Sequence, residues 1–400
     1  MKTPETPVPA SRPVPTVITE EEAALGAPDG RHTLFHVEDT RYDFVRVLER
    51  RHDGEVLMLA ERHEKHGLPG PVAIRRLHTP STFERRQRLK EEVQLSYRLN
   101  HPAIAQVHHF KIHERKPYVI MEYVDGPTLD GVMSLMALRH RPVSIAFALY
   151  VGAEVADALH HAHQLSDEAG RPLGLVHRDV SPRNISVSRN GAVKLTHFGT
   201  AWSRMVGREE TQGALRKGDI AYASPEYLRV LRLTPVADLY SLGLVLLELA
   251  TGRHLFQDAM EEAAESLRDL PVKVSVEELP SLPLTRLLAL MASCTPNEVV
   301  RAVAGLPRDF QAVLQRALRR APAERYPTAG QMRDALRACL AQVSQDSSYG
   351  RQEAAAELAQ LISEASAARD EAELGDERLF PSGLESHELD APRAGGKRRA

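Results

Sequence analysis

The sequence is poor in cysteine, and this excludes two kinds of cysteine-based architecture. Cys294 and Cys339 are the only two in 400 residues. Two thiols cannot build a framework of several disulfides, nor supply the four thiolates of a Cys-based structural zinc site. We therefore expect both to be reduced packing residues, as in a cytoplasmic protein.

A strong charge bias and long apolar runs are also missing. The 51 Lys and Arg against 54 Asp and Glu leave a formal net charge of -3, unlike the positive excess of proteins that bind nucleic acid through broad basic surfaces. The most apolar segments, Ser144–Leu159 and Leu239–Ala250, contain acidic residues and fall short of the ~20 apolar residues that a membrane-spanning helix needs. The sequence predicts a cytoplasmic protein without nucleic-acid or membrane partners.

The two ends of the chain differ in composition from its middle. Residues 1–30 contain six prolines and few large apolar side chains, so this part cannot bury enough surface to offset its ordering entropy. We predict a disordered, Pro-rich tail over residues 1–36. Residues 342–400 are acidic, and we expect them to be partly helical or disordered, with a solvated helix over Arg351–Leu374.

Between the tails the pattern changes from strand to helix. Residues 41–124 contain short β-branched and apolar runs separated by polar turns, interrupted by a charged amphipathic helix from Thr82 to Leu99. Residues 125–341 contain longer segments with apolar side chains at helical spacing, beginning with 127–163. The sequence predicts a mostly β region followed by a larger, mostly helical one.

The most informative motif is the octet His-Arg-Asp-Val-Ser-Pro-Arg-Asn at residues 177–184. This octet resembles the catalytic loop of protein kinases, in which an Asp accepts the proton of a substrate hydroxyl and an Asn five residues later holds a metal ion. Asp179 and Asn184 are therefore the candidate catalytic residues, and Asn184 is the candidate metal ligand.

Further motifs precede and follow the octet in a matching order. Val72–Arg75 has the form of a strand that carries a phosphate-pairing cation, and His197–Gly199 stands where a metal-binding Asp-Phe-Gly would follow the octet. Ser224–Glu226 occupies the Ala-Pro-Glu position. On these residues, the sequence resembles bacterial Ser/Thr protein kinases over Arg41–Ala341.

The resemblance implies a fold and a set of site residues. The fold is α+β and two-lobed, with a small, mostly β N-lobe and hinge over residues 41–124 and a large, mostly α C-lobe over residues 125–341. Asp238 is expected to brace the catalytic loop, and Arg325 to pair with Glu226. ATP would contact Val56, Ala73, Arg75, Glu92, Glu122 and Val124.

Several phosphate-handling positions depart from the family pattern. His197 replaces the metal-binding Asp, and imidazole is a poor ligand for Mg²⁺, which prefers hard oxygen donors. Arg75 replaces the strand lysine, so a planar guanidinium stands in place of a compact ammonium group. Glu49 and Arg51 occupy the first two glycine positions of the loop before Gly54, where side chains keep backbone amides away from phosphate. ATP thus remains the candidate cofactor, with Mg²⁺ binding weak or absent.

The side of the site that faces a protein substrate is altered as well. Ser181 stands where Ser/Thr kinases place a lysine, and Asp219 stands where a threonine is usual. An acid at position 219 would repel the nearby Asp179 and raise the pKa of one carboxyl. Ser186 puts a hydroxyl at the expected floor of the adenine site.

Two functions follow from these residues, and both stay open at this point. The first is a catalytically impaired pseudokinase that regulates or scaffolds through protein partners, such as an active kinase or another signalling protein. The second is an active, divergent Ser/Thr protein kinase that transfers the γ-phosphate of ATP with Asp179 as base and Asn184 as the main metal ligand.

Overall fold

The computed structural model describes most of the chain between residues 32 and 377, and the statements below concern only that part. The side chains of residues 368–377 lie outside it. The described residues are 32–50, 55–65, 67–77, 93, 95–198, 219–229, 231, 233–258, 261, 289–290, 294–344 and 348–377.

The N-lobe is a six-stranded antiparallel sheet. Its strands follow the order β1-β2-β3-β4-β6-β5, with every neighbouring pair antiparallel. The sheet confirms the predicted mostly β N-lobe. The strands are β1 Thr33–Val37, β2 Thr40–Arg50, β3 Val56–Glu64, β4 Gly70–Arg76, β5 Val107–His113 and β6 Lys116–Glu122.

Strand β1 corrects the predicted extent of the disordered N-terminal tail. Thr33–Val37 pairs with β2 at one edge of the sheet. Phe35 is buried and packs its ring against Tyr42 and Tyr118, with ring centroids 5.7 and 5.1 Å away. These aromatic contacts bury apolar surface and hold residues 33–36 against the sheet. Amino-acid composition alone did not reveal the contacts.

The C-lobe is mostly helical, as predicted. Three short 3₁₀ helices, Pro182–Asn184, Ile220–Tyr222 and Pro322–Glu324, and a two-stranded hairpin complete it. The helices are α1 Leu129–Leu138, α2 Ile145–His163, α3 Pro225–Leu228, α4 Val236–Thr251, α5 Pro296–Ala302, α6 Arg308–Ala317, α7 Ala329–Ser344 and α8 Arg351–Glu377, and the hairpin strands are β7 Ile185–Val187 and β8 Val193–Leu195.

Helices α2 and α4 form the centre of the C-lobe. Both are apolar around nearly their whole circumference, and side chains such as Leu149, Leu159 and Leu246 have no exposed surface. Helices of this kind lie inside a domain. Helix α4 also carries Asp238 in its first turn, so the rigid core directly positions one residue of the candidate site.

Helix α8 confirms the predicted C-terminal helix but corrects its predicted solvation. Leu358 and Leu361, both 1% exposed, belong to the main hydrophobic core. The Glu357 carboxylate accepts hydrogen bonds from the backbone N and the hydroxyl of Ser144, at 2.7 and 2.6 Å. Arg139 pairs with Glu364 at 2.8 Å. The helix is therefore an integral part of the C-lobe.

No helix among the described residues is both long enough and apolar enough to span a membrane.

Candidate active site

Asp238 of α4 braces the backbone of the loop that contains the octet. Its buried carboxylate accepts hydrogen bonds from the backbone amides of His177, at 2.8 Å, and Arg178, at 2.9 Å. His163 lies 2.8 Å from the same carboxylate. Burial alone would raise the pKa of Asp238, but the hydrogen bond and charge of His163 outweigh it and hold the pKa below its usual value. The predicted bracing role of Asp238 is confirmed.

His177 is fixed as a neutral ring inside the loop. Its Nε2 lies 2.9 Å from the carbonyl oxygen of Thr196, and its Nδ1 accepts from the backbone N of Asp179 at 3.2 Å. These partners select the tautomer with the proton on Nε2. Burial lowers the pKa of His177. Phe198 packs edge-on against the ring with centroids 4.5 Å apart, which ties the octet to the His-Phe-Gly segment.

Asp179 and Asn184 lie together, as the octet predicts. The amide Nδ2 of Asn184 donates to the backbone carbonyl of Asp179 at 2.8 Å, and to the hydroxyl of Ser181 at 3.3 Å. The Asp179 carboxylate accepts from the backbone N of Asp219 at 2.9 Å. Both side chains are buried, so the loop holds a carboxylate and an amide in fixed positions.

Asp219 behaves as the sequence predicts, although for a different main reason. Burial of its carboxyl raises the pKa of Asp219, and the charge of Asp179 adds a smaller rise. The Asp219 carboxylate also caps the short 3₁₀ helix by accepting from the backbone N of Ala221 at 3.1 Å. An acid is thus accommodated beside Asp179 partly because it has a structural hydrogen bond.

The guanidinium of Arg75 lies against the imidazole of His197. Arg75 Nη1 contacts His197 Nδ1 and lies 3.3 Å from Nε2. Arg75 is 8% exposed, and His197 has a left-handed backbone with φ of 70°, a conformation that His adopts more readily than most residues. The contact joins β4 of the N-lobe to the segment after β8. Sequence reasoning missed it, because no local pattern links residues 122 positions apart.

The roof of the cleft differs from prediction at one position. In the β3–β4 register Leu57 pairs with Arg75 and Leu59 with Ala73, so these four side chains share one face of the sheet. Val56 points to the other face, in the N-lobe core. Val56, which is predicted to contact ATP, thus faces the N-lobe core, whereas Leu57 lies on the face that carries Arg75. The alternation of buried and half-buried residues along β3 could have signalled this.

The hinge residues lie at the end of β6, where the sheet meets the C-lobe. Met121 pairs with Ala73 in the register of β4 and β6. The Glu122 carboxylate forms an ion pair with Lys194 Nζ of β8 at 2.7 Å, and Val124 is half-buried just beyond. The ion pair connects the hinge to the hairpin beneath the cleft. Sequence reasoning did not identify Lys194.

Two predicted parts of the site lie outside the described residues. These are Glu92, the expected partner of Arg75, and Arg51 with Gly54 of the altered glycine loop. Glu49 is described, and it pairs with Leu57 one position before the end of β2.

Outside the catalytic loop, two side-chain pairs anchor the segments that contain Tyr222 and Glu226. Arg325 binds Glu226 through two hydrogen bonds of 2.6 and 2.8 Å, and both side chains are buried. This confirms the predicted ion pair. Tyr222 donates to Glu248 at 2.6 Å, a contact that sequence reasoning missed.

The residues at the metal position do not fit Mg²⁺. This ion needs several hard oxygen ligands. His197 offers an imidazole that is engaged by a guanidinium, and a divalent cation beside a guanidinium is repelled. Only the amide oxygen of Asn184 is a suitable donor at the positions where the family holds metal. Among the described residues, no group of three or more His, Cys, Asp and Glu side chains could hold a metal ion.

Comparison with known proteins gives a consistent set of similarities. A model of the protein kinase domain matches residues 53–336. The tyrosine-protein kinase MasK of Myxococcus xanthus is 30% identical over 305 residues, which cover 75% of this chain and 43% of MasK. The serine/threonine-protein kinase PknB of Mycolicibacterium smegmatis is 34% identical over 251 residues, which cover 62% of this chain and 35% of PknB.

The chain therefore spans less than half the length of these two relatives. Among solved structures, the PknI kinase domain of Mycobacterium tuberculosis aligns with 74% of this chain and 95% of its own, at 25% identity and a TM-score of 0.48.

Proposed function

Because this chain belongs to the protein kinase domain family, we propose that it is a kinase-fold signalling protein whose phosphoryl transfer is impaired. It acts instead through contacts with protein partners, such as an active kinase or another signalling protein. The cytoplasmic location predicted from the sequence is part of this proposal and is supported by two free cysteines.

The observation that carries the proposal is the contact between Arg75 and His197. Phosphoryl transfer depends on positioning and on neutralising charge, for which kinases use metal ions held by a carboxylate and an Asn. Here the carboxylate is replaced by an imidazole that a guanidinium engages. Each 1.36 kcal/mol of lost transition-state stabilisation slows a reaction about tenfold, so loss of metal clamping leaves little turnover.

A second observation explains how the fold persists without the chemistry. The catalytic loop depends on Asp238, His163 and His177, and none of these needs a bound nucleotide. The arrangement can therefore keep a kinase-like shape for recognition by a partner.

The test is a transfer assay with the full chain. The protein is incubated with ATP labelled in the γ-phosphate, in Mg²⁺ or Mn²⁺, alone and with generic protein substrates, beside Asp179→Ala. We expect the same background label in both proteins. Label that appears with the parent chain and disappears in Asp179→Ala would overturn the proposal.

A restoration experiment identifies the cause of the impairment. The double variant His197→Asp with Arg75→Lys returns the metal-binding carboxylate and the compact strand cation. We expect label above the Asp179→Ala background. A double variant that stays inactive while folding normally would shift the cause to Asp219, Glu49 or Arg51.

An active, divergent kinase is the second candidate, favoured by the preserved placement of Asp179 and Asn184. The relatives are named as a tyrosine kinase and a serine/threonine kinase. Phosphoamino-acid analysis of any labelled product would distinguish these acceptors, and an active Ser/Thr kinase requires label on Ser or Thr.

A further inference from the structure

Two carboxylates of helix α8 bind the loop between α1 and α2, far from the cleft in sequence. The Glu357 carboxylate accepts hydrogen bonds from the backbone N and the hydroxyl of Ser144, at 2.7 and 2.6 Å. Glu364, two turns further along α8, pairs with Arg139 at 2.8 Å and with Arg141 at 3.6 Å. These contacts hold the middle of α8 against the C-lobe.

The same loop presents an accessible hydroxyl among cations. Ser144 and residues 140–142 are exposed. Arg139 and Arg141 stand five and three positions before Ser144, and charged residues near an acceptor hydroxyl are a pattern by which kinases select their substrates. A cavity of about 640 Å³ lies beside the hydroxyl, lined in part by both arginines and by Glu357. A phosphoryl group on Ser144 would therefore have room next to two guanidinium groups.

We propose that Ser144 is a phosphorylation site, and that its modification loosens the attachment of α8 to the C-lobe. The donor is ATP bound to a Ser/Thr kinase that selects arginine before its acceptor. The bond between the γ-phosphorus and its bridging oxygen breaks, a bond to Ser144 Oγ forms, ADP leaves, and the hydroxyl proton passes to a base of the modifying kinase. This chain serves only as the substrate, so the site does not depend on phosphoryl transfer in its own cleft.

Charge is the cause of the loosening. A phosphoserine carries a charge of about −1.5 to −2 at pH 7 and three acceptor oxygens. The hydroxyl that donates to Glu357 is replaced by an anion that repels this carboxylate. The same oxygens compete with Glu364 for Arg139 and Arg141, because guanidinium groups bind phosphate tightly. Both attachments of α8 to the loop are weakened, so the state in which residues 354–365 are detached becomes more populated.

The first measurement tests the site itself. The full, folded chain is incubated with a purified arginine-directed Ser/Thr kinase and ATP labelled in the γ-phosphate, beside Ser144→Ala. Peptide mapping by mass spectrometry then locates the label. We expect label on the peptide that contains Ser144, and none on the corresponding peptide of Ser144→Ala. A folded chain that is not labelled at Ser144 would overturn the proposal.

The second measurement tests the loosening of α8. Backbone amide hydrogen exchange is followed over residues 354–365 before and after modification, with the buried helix α4 as internal reference. We expect exchange in α8 to become at least about tenfold faster, because local opening sets its rate, while exchange in α4 stays unchanged. Modification at Ser144 that leaves exchange in α8 unchanged would also overturn the proposal.

A matched pair of variants isolates the charge. Ser144→Asp and Ser144→Asn introduce side chains of nearly equal size that both cap helices, but only Asp is charged, and the amide of Asn can still donate to Glu357. Ser144→Asp should speed exchange in α8 at least about threefold relative to Ser144→Asn. Adding Glu357→Gln to Ser144→Asp should reverse this effect. Equal exchange in the Asp and Asn variants would contradict the proposal, since charge would then have no role.

Discussion

The catalytic loop and strand β4 meet at the same cleft, yet they have departed from the family pattern to different degrees. In the loop, His177, Asp179 and Asn184 keep the family residues, and each has hydrogen-bond partners within the C-lobe. By contrast, Arg75 of β4 and the residue that it contacts, His197 after β8, both differ from the family pattern. The retained residues also support the fold, whereas Arg75 and His197 stand where the family places a phosphate-pairing lysine and a metal-binding Asp.

This difference indicates that the loop residues have structural value independent of catalysis. Asp238 receives donors from three residues, so its loss would leave buried polar groups without partners. The contact shown for His197 is with the Arg75 side chain.

Arg325→Ala should have the largest effect. Removing one partner of a buried ion pair leaves an unpaired charge, here Glu226, and costs about 3–5 kcal/mol. Chemical denaturation measures the free energy of unfolding. Arg319→Ala is the matched control, because its pair with Glu324 is exposed and 4.0 Å long; it should change stability by less than about 0.5 kcal/mol. Equal losses in the free energy of unfolding would mean that the buried ion pair stabilises the fold no more than the exposed one.

Leu358→Ala should cost about 3 kcal/mol, since it empties a buried position between α8 and the C-lobe. The same change at Leu138, which is 50% exposed, should cost less than about 1 kcal/mol. Thermal or denaturant unfolding measures both. A Leu358→Ala protein as stable as the parent would mean that α8 does not contribute to the C-lobe core.

Asp238→Asn should destabilise the protein by about 2 kcal/mol at neutral pH, because an amide group replaces one acceptor oxygen and faces a donor. The lowered pKa of Asp238 stabilises the fold above the ordinary Asp pKa of 3.8, and this stabilisation is lost as the pH falls through the folded-state pKa. The gap between parent and variant should therefore shrink below pH 3.8 in unfolding curves measured against pH.

The contrasting variant is His197→Ala, at the residue that Arg75 contacts. It removes a half-buried ring and should cost less than about 1 kcal/mol. A loss as large as that of Asp238→Asn would show that the fold needs His197 as much as it needs Asp238.

Asp219→Asn should have the smallest effect, and with the opposite sign. The raised pKa of Asp219 means that its charged form destabilises the folded state, increasingly as the pH rises from the ordinary value of 3.8 through the folded-state pKa. An amide oxygen can still accept from the backbone N of Ala221. The variant should gain up to about 1 kcal/mol at pH 7 and match the parent below pH 3.8. A loss at pH 7 would mean that the charge itself is stabilising.

Much of the site could be predicted because its signals are local. The octet at residues 177–184 contains both Asp179 and Asn184, and hydrogen bonds between near neighbours in sequence link residues within its loop. The pairing of Arg325 with Glu226 was also predicted, since the position of each in its motif implied the other.

The face of a strand was harder to predict. A shift of one residue moves a side chain to the other side of the sheet, which is why Leu57 and not Val56 faces the cleft. Helix α8 carried a usable signal that was missed. Ala354, Leu358, Leu361 and Ala365, all buried, follow the spacing of a helix with one apolar stripe.

Residue identity specifies which chemical groups the site contains: a carboxylate and an amide in the catalytic loop, and an imidazole where a metal ligand would stand. The contact of the Arg75 guanidinium with that imidazole depends on the folded chain, because the two residues come from different lobes. Local motifs fix the residue types, whereas the register of β4 against β3 and the packing of the lobes fix which of them touch.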